Sequence, residues 1–159
     1  MNPRRFWLVA LLSLSGISTA LAHDVETQYQ LYCMGCHVPD GSGLEGKVPS
    51  IRGTLVPLAQ LPEGRRYLVQ VPGVAQSPLS NAEVAALLNW MIANLSERPA
   101  PPGPVAAFTT DEVARYRSTR LVGVRATRAK VLAEANSSCR AGSCAISSPR
   151  IPATERSAR

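Results

Sequence analysis

Cys33-Met34-Gly35-Cys36-His37 gathers two thiols and an imidazole into five positions of a 159-residue chain. At this chain's cysteine and histidine frequencies, a C-x-x-C-H string arises by chance on the order of once in a thousand such sequences. On a helix the two sulfurs stand one turn apart, and the imidazole follows on the same face. Each thiol can then add to one vinyl group of a porphyrin and fix it covalently, while the imidazole binds the iron from one side. A redox-active C-x-x-C pair would need a preceding strand in a β-α-β unit, and the glycine-rich stretch here offers none. A zinc site would need two more ligands nearby, and Cys139 and Cys144 are remote. A plain structural disulfide is the third rival. Haem attachment is the reading taken forward.

The elements that must position these side chains are helical. Residues 25–37 read as one helix that puts Tyr29, Cys33, Cys36 and His37 on a shared face. Residues 38–57, with four glycines and three prolines, read as turns and loop. A short helix is expected over residues 58–69, then a loop, "VPGVAQSP". The strongest helix signal follows: Ser80-Asn81-Ala82-Glu83 has the form of a capping box, and Val84, Leu87, Leu88, Met91 and Leu95 recur at helical period with Trp90 at the shoulder. "RPAPPGP", residues 98–104, reads as a stiff extended linker. A second capping pattern, Thr109 to Glu112, predicts a short helix toward Arg117, and another helix is expected over residues 121–135. Whether these pack on the first unit is left open by the sequence. Residues 136–159 are poor in bulky apolar side chains and are expected to be a disordered tail.

Residues 1–22 have the pattern of a cleaved export leader: Arg4 and Arg5, an apolar run, then Ala20-Leu21-Ala22. The apolar run is too short and too interrupted for a stable transmembrane anchor. Charge is divided along the rest, net −3 over residues 23–97 and net +7 over residues 98–159. Only two aromatic side chains, Phe108 and Tyr116, fall among the arginines of the basic part, which argues against nucleic acid and leaves an acidic protein, an anionic surface or plain solvation. The domain order expected is therefore leader 1–22, haem domain 23–97, linker 98–104, helical extension 105–135 and tail 136–159. Cys139 and Cys144, in an oxidising compartment, are expected to pair as a disulfide.

"LYCMGCHVPDGSG", "GKVPSIRGT" and "LSNAEVAALLNWMIANL" together resemble the class I cytochromes c, over roughly residues 24–96. The resemblance implies a small all-α fold around one covalently bound haem c, with Cys33 and Cys36 as thioether residues and His37 as the proximal axial ligand. It implies that the Pro49 carbonyl accepts a hydrogen bond from His37 Nδ1–H, and that Tyr29 and Trp90 meet where the first and last helices cross. Such a bond fixes the imidazole tautomer and raises its basicity. The family's distal ligand is a loop methionine, and here Val71-Pro72 stands where Met-Pro would be. Met1 leaves with the leader and Met34 lies between the haem cysteines, so Met91 is the remaining thioether. It reads first as an apolar member of its helix stripe and second as a distal ligand. His23, Asn81 and Lys47 are further candidates, as is an open or water-filled position.

The function this implies is one-electron transfer in the periplasm, between a dehydrogenase or other oxidoreductase and a respiratory acceptor, with redox proteins as partners. No acid, base or nucleophile constellation accompanies the motif, so no enzymatic activity is expected, peroxidase-like chemistry included. The alternatives are a haem protein whose open iron binds or senses a small ligand, and a dedicated haem subunit of an enzyme complex that docks through residues 115–130.

Overall fold

The computed structural model describes residues 24–97 and 103–138. The expected leader, most of the linker, His23, and the Cys139–Cys144 pair lie outside these residues. Among the described residues all regular structure is helical, apart from one isolated bridge between Leu44 and Val48.

Helix α1 (Val25–Tyr32) starts where Asp24 Oδ1 accepts from Thr27 N at 3.1 Å. It does not run on to His37. The chain breaks step at Cys33 (φ −124°, ψ −40°) and restarts as a single turn, α2 (Met34–His37). Helices α3 (Leu55–Ala59) and α4 (Pro62–Gln70) replace the one helix expected over residues 58–69. Pro62 cannot donate to the turn before it, but it is suited to the first position of a new helix. Gly64 fits there because a Cβ at that position would collide with the Leu58 carbonyl. The stretch expected as loop contains one short turn of helix, α5 (Pro72–Ala75).

Helix α6 (Asn81–Leu95) carries the full capping box read from the sequence: Ser80 Oγ accepts from Glu83 N at 3.3 Å, and Glu83 Oε2 accepts from Ser80 N at 2.8 Å. Its apolar stripe of Val84, Leu87, Leu88, Met91 and Leu95 is buried. Helix α1 crosses it through Tyr29 and Trp90, whose ring centroids lie 5.6 Å apart at 41°. A tilted aromatic pair of this kind contributes roughly 0.5–1.5 kcal/mol beyond its burial.

The extension folds back. Helix α7 (Thr110–Arg117) packs on α6 and α4, and α8 (Val124–Ser138) packs on α4 and α3. Val113, Val131 and Ala135 join the same core cluster as Tyr29 and Met91. Thr109 caps α7 by accepting from Glu112 N at 3.2 Å, but the Glu112 carboxylate does not return to the cap. It pairs instead with Arg65 of α4, through two bonds of 2.7 and 2.6 Å. Arg65 also donates to the carbonyls of Ala59, Ala106 and Ala107 and lies 3.9 Å over the Phe108 ring. Arg117 is used in the same way, donating to the carbonyls of Ala75, Ser77 and Leu79 and to Asn81 Oδ1 at 2.8 to 3.4 Å. These two arginines thus join the extension to the rest of the fold.

Candidate functional site

The break at Cys33 gives the motif a turn of its own, with Cys36 N and His37 N both donating to the Cys33 carbonyl, at 3.2 and 2.9 Å. Cys33 is half-buried against the core cluster and Cys36 is exposed. Burial, and secondarily the neighbouring Cys36, pushes the Cys33 thiol up to about 11. Redox-active C-x-x-C pairs work with a lowered thiol pKa, so this environment opposes that reading. Nor do three His, Cys, Asp or Glu side chains converge on a point that could hold a metal ion directly, among the described residues. Both thiols remain free for addition chemistry.

Val38 ends the motif with φ +56°, a region that a β-branched side chain seldom enters. The Tyr29 hydroxyl holds it there, donating to the Val38 carbonyl at 2.6 Å. Only 2% of Tyr29 is exposed, and burial raises its hydroxyl to about 12. Tyr29 packs in the core cluster. The structure adds a specific task, because the residue it holds directly follows His37.

The loop after Val38 is tied back onto the motif. Gly43 N donates to the His37 carbonyl at 3.1 Å, Ile51 N to the Gly41 carbonyl at 3.0 Å, and Leu44 pairs with Val48. This brings Pro49 to the His37 ring. Burial lowers the imidazole pKa, and the Pro49 carbonyl beside it acts in the opposite direction. His37 Nδ1 is nevertheless buried without a completed hydrogen bond. With Nδ1 beside that carbonyl, the other ring nitrogen is the one an axial histidine would offer to a metal. Exposed apolar side chains, Leu31, Tyr32 and Leu44, flank the same segment. The residues present therefore fit a covalently held, iron-bearing apolar ring.

Gly43 is what lets the loop close. Its φ is +75°, and a Cβ there would strike the Val48 carbonyl and crowd the Pro49 carbonyl at 2.9 Å. Gly43→Ala is expected to displace Pro49 and to destabilise the fold by about 1–3 kcal/mol, the usual cost of a strained conformation. The check is a thermal melt together with the 15N shifts of the His37 ring. A His37 ring unmoved in the variant would show that Gly43 does not control Pro49.

The remaining candidates are dispersed. Trp90 sits half-buried against Tyr29. Met91 is 6% exposed within the core cluster. Asn81 accepts from Arg117 at 3.0 Å, and Lys47 is exposed on the loop that carries Pro49. Sequence reasoning missed Val38, Arg65 and Arg117. A valine forced into the left-handed region has no sequence signal, and apart from Ala59 the arginines' partners are 36 to 47 residues away.

An all-helical chain whose C-x-x-C-H turn is braced by a tyrosine and a proline loop defines a class, the c-type haem proteins. Comparison with known proteins agrees. A cytochrome c-552 of Thermus thermophilus is 30% identical over 145 residues, covering 80% of this chain and 93% of that protein. A second Thermus thermophilus cytochrome c-552 is 29% identical over 120 residues, or 64% of this chain and 87% of the relative. No family model matches, and no solved structure matches. The chain belongs to the class I cytochrome c family. It is a c-type cytochrome, an electron carrier by kind.

Proposed function

We propose that the protein carries single electrons in the periplasm on one haem c, taking them from a dehydrogenase or other oxidoreductase and passing them to a respiratory acceptor. The observation that carries this is the braced turn: Cys33 free at the cap of one short helix, Cys36 and His37 within it, Val38 held by Tyr29, and Pro49 brought to the ring. Bound haem supplies a one-electron iron couple. Cys33 and Cys36 would tether it, and His37 would be its axial ligand. Pro49 would orient the imidazole and keep Nδ1 protonated, leaving the other ring nitrogen to the iron. Tyr29 and Trp90 set the crossing of α1 and α6 and so hold the motif's turn against a packed core. That packing limits rearrangement when charge moves. No described helix is long and apolar enough to cross a membrane, and an export leader at residues 1–22, cut after Ala22, supports delivery to the periplasm.

The partner surface supported best is basic. Arg66 and Arg115 flank the Tyr116 ring at 5.7 and 5.3 Å, beside a hollow of about 390 Å³ that Gln70 and Thr119 also line. An acidic redox protein matches it, because guanidinium forks suit carboxylates. The test is a potentiometric titration of the purified protein, with stopped-flow reduction by an acidic redox protein at rising salt. A one-electron Nernst curve and a rate that falls with ionic strength are expected. A two-electron curve abolished by thiol alkylation would make Cys33 and Cys36 a dithiol couple and overturn the proposal.

A further inference from the structure

Four arginines stand along the seam between α4 and α7, and the fold uses them in two ways. Arg65 and Arg117 are spent inside it. Arg65 donates to the carbonyls of Ala59, Ala106 and Ala107 and pairs with Glu112, and Arg117 donates to those of Ala75, Ser77 and Leu79 and to Asn81. Arg66 and Arg115 are exposed, and they flank the single Tyr116 ring at 5.7 and 5.3 Å. Among the described residues, the one carboxylate within 4.0 Å of either is Glu63, 3.6 Å from Arg66 and itself half exposed. Glu112 also acts on Arg115 electrostatically, but its oxygens are bound to Arg65. Two cations gathered at one ring repel each other, and a bound anion would relieve that repulsion.

These cations border a recess rather than a flat face. The hollow of about 390 Å³ beside Arg66 and Arg115 adjoins a second of about 530 Å³, and the two share Gln70 and Thr119. Arg120, also exposed, lines the second. Small-ligand sites have volumes of roughly 300–1,000 Å³. The shared wall is fixed from below: Gln70 is 7% exposed, and its amide nitrogen donates to the Tyr116 and Thr119 carbonyls at 3.1 and 3.0 Å. A helix ends here, and free carbonyls at the carboxyl end of a helix would repel an anion. On α7 these carbonyls are covered. Ala114 accepts from Ser118 N, Arg115 from Ser118 Oγ, and Tyr116 from Thr119 N as well as Gln70. The opposing partial charge is reduced while the guanidinium groups stay available.

We propose that the paired hollows are a binding site for a phosphate-bearing ligand, clamped by Arg66 and Arg115, with Arg120 placed for a second phosphoryl group. A phosphate group presents three acceptor oxygens and a charge of about −1.5 to −2, so one group can engage two guanidinium forks together. A carboxylate offers two oxygens and a single charge, which one fork satisfies. The same chemistry belongs to a free diphosphate and to a phospholipid head group. The site shares Arg66 and Arg115 with the partner surface proposed above, yet the binding itself requires neither the haem nor a redox partner.

The test is a calorimetric titration of the purified full-length protein with inorganic pyrophosphate at about 0.1 M salt, where long-range attraction between exposed charges is screened. In a second arm the protein is sedimented with phosphatidylglycerol vesicles and, for comparison, phosphatidylcholine vesicles. Saturable one-to-one binding of pyrophosphate is expected, weakened about tenfold in Arg66→Gln and in Arg115→Gln, the loss of one charge-assisted bond. Arg125→Gln removes the same charge from an exposed position on α8 outside both hollows, and its affinity is expected to match the wild type. Thermal melts confirm that each variant is folded. Capture by phosphatidylglycerol alone, lost in Arg66→Gln and Arg115→Gln and kept in Arg125→Gln, would support the site and make a lipid head group its ligand. Equal weakening in Arg125→Gln would reduce the effect to net charge and overturn the proposal. So would a wild type that responds to neither pyrophosphate nor phosphatidylglycerol.

Discussion

If the proposed haem anchor is right, serine at both Cys33 and Cys36 is expected to abolish covalent haem: the purified double variant should run at the mass of the bare chain, and acidified organic solvent should extract whatever haem it retains. The sulfurs are the only groups in the motif able to form thioethers, and both are free in the fold. With them gone, the cofactor would be held by His37 and burial alone, and its binding would become bimolecular. A small helical domain also loses the cross-link that offsets its limited core. Linkage puts the loss at about 4 kcal/mol or more, the stabilisation that a ligand supplies when present a thousandfold above its dissociation constant. Intact mass and a thermal melt of both proteins measure the two effects. Each single variant keeps one thioether and falls between them. A double variant with unchanged mass and melt would show that the motif is not a haem anchor.

Arg65→Ala is the second large effect, and it acts far from the motif. Arg65 and Glu112 side chains are each 12% exposed and joined by paired bonds. Removing the guanidinium strands the carboxylate in a mostly dry site and frees the carbonyls of Ala59 and Ala106. Breaking a buried pair costs about 3–5 kcal/mol, and the partial exposure here places the expected loss near the lower end. A chemical denaturation midpoint for the variant, and for Arg65→Ala with Glu112→Gln, measures it. The double variant should recover part of the loss, since its amide carries no charge to strand. No difference between the single variant and the wild type would rule out a structural role for the pair.

The same pair has a pH signature. Arg65 holds the Glu112 carboxyl below its ordinary value, chiefly by hydrogen bonding and against the opposing effect of burial. A carboxyl whose folded value is depressed contributes stability that is complete above its unfolded value and is lost as the pH falls through the folded one. The wild type's advantage over Arg65→Ala should therefore be full at pH 6 and above, near two units over the ordinary glutamate range of about 4.3, and shrink in acid.

What the sequence disclosed was local. The C-x-x-C-H spacing, the Ser80 to Glu83 box and the apolar stripe behind it are patterns within one or two helical turns, and the box and the stripe are present in the fold as read. The single helix expected over residues 25–37 is split because Cys33 departs from helical geometry enough to start a new turn, which side-chain periodicity does not register. Residues 58–69 were read as one helix, although Pro62 marks a start and the preceding turn, Leu55–Ala59, is wholly buried. The Thr109 pattern was half realised because Glu112 found a better partner 47 positions away. Gln70 is a similar case: it is buried, and it donates to the Tyr116 and Thr119 carbonyls at 3.1 and 3.0 Å. A polar residue satisfied by a distant backbone looks, in sequence, like one facing water.

The arginine ties also set an order in time. Tyr29, Val38 and Pro49 lie within about one-eighth of the chain, so a growing polypeptide has the whole bracing set of the motif early. The residues that fasten α4 and the 71–80 segment, Glu112 and Arg117, come 63 and 68 positions after Pro49. During that interval the two thiols are present while the arginine clasps cannot yet exist, so machinery acting on the thiols would meet a chain still loose enough to admit a large ring. Once residues 112–117 arrive, both clasps can close and join the extension to the rest of the fold.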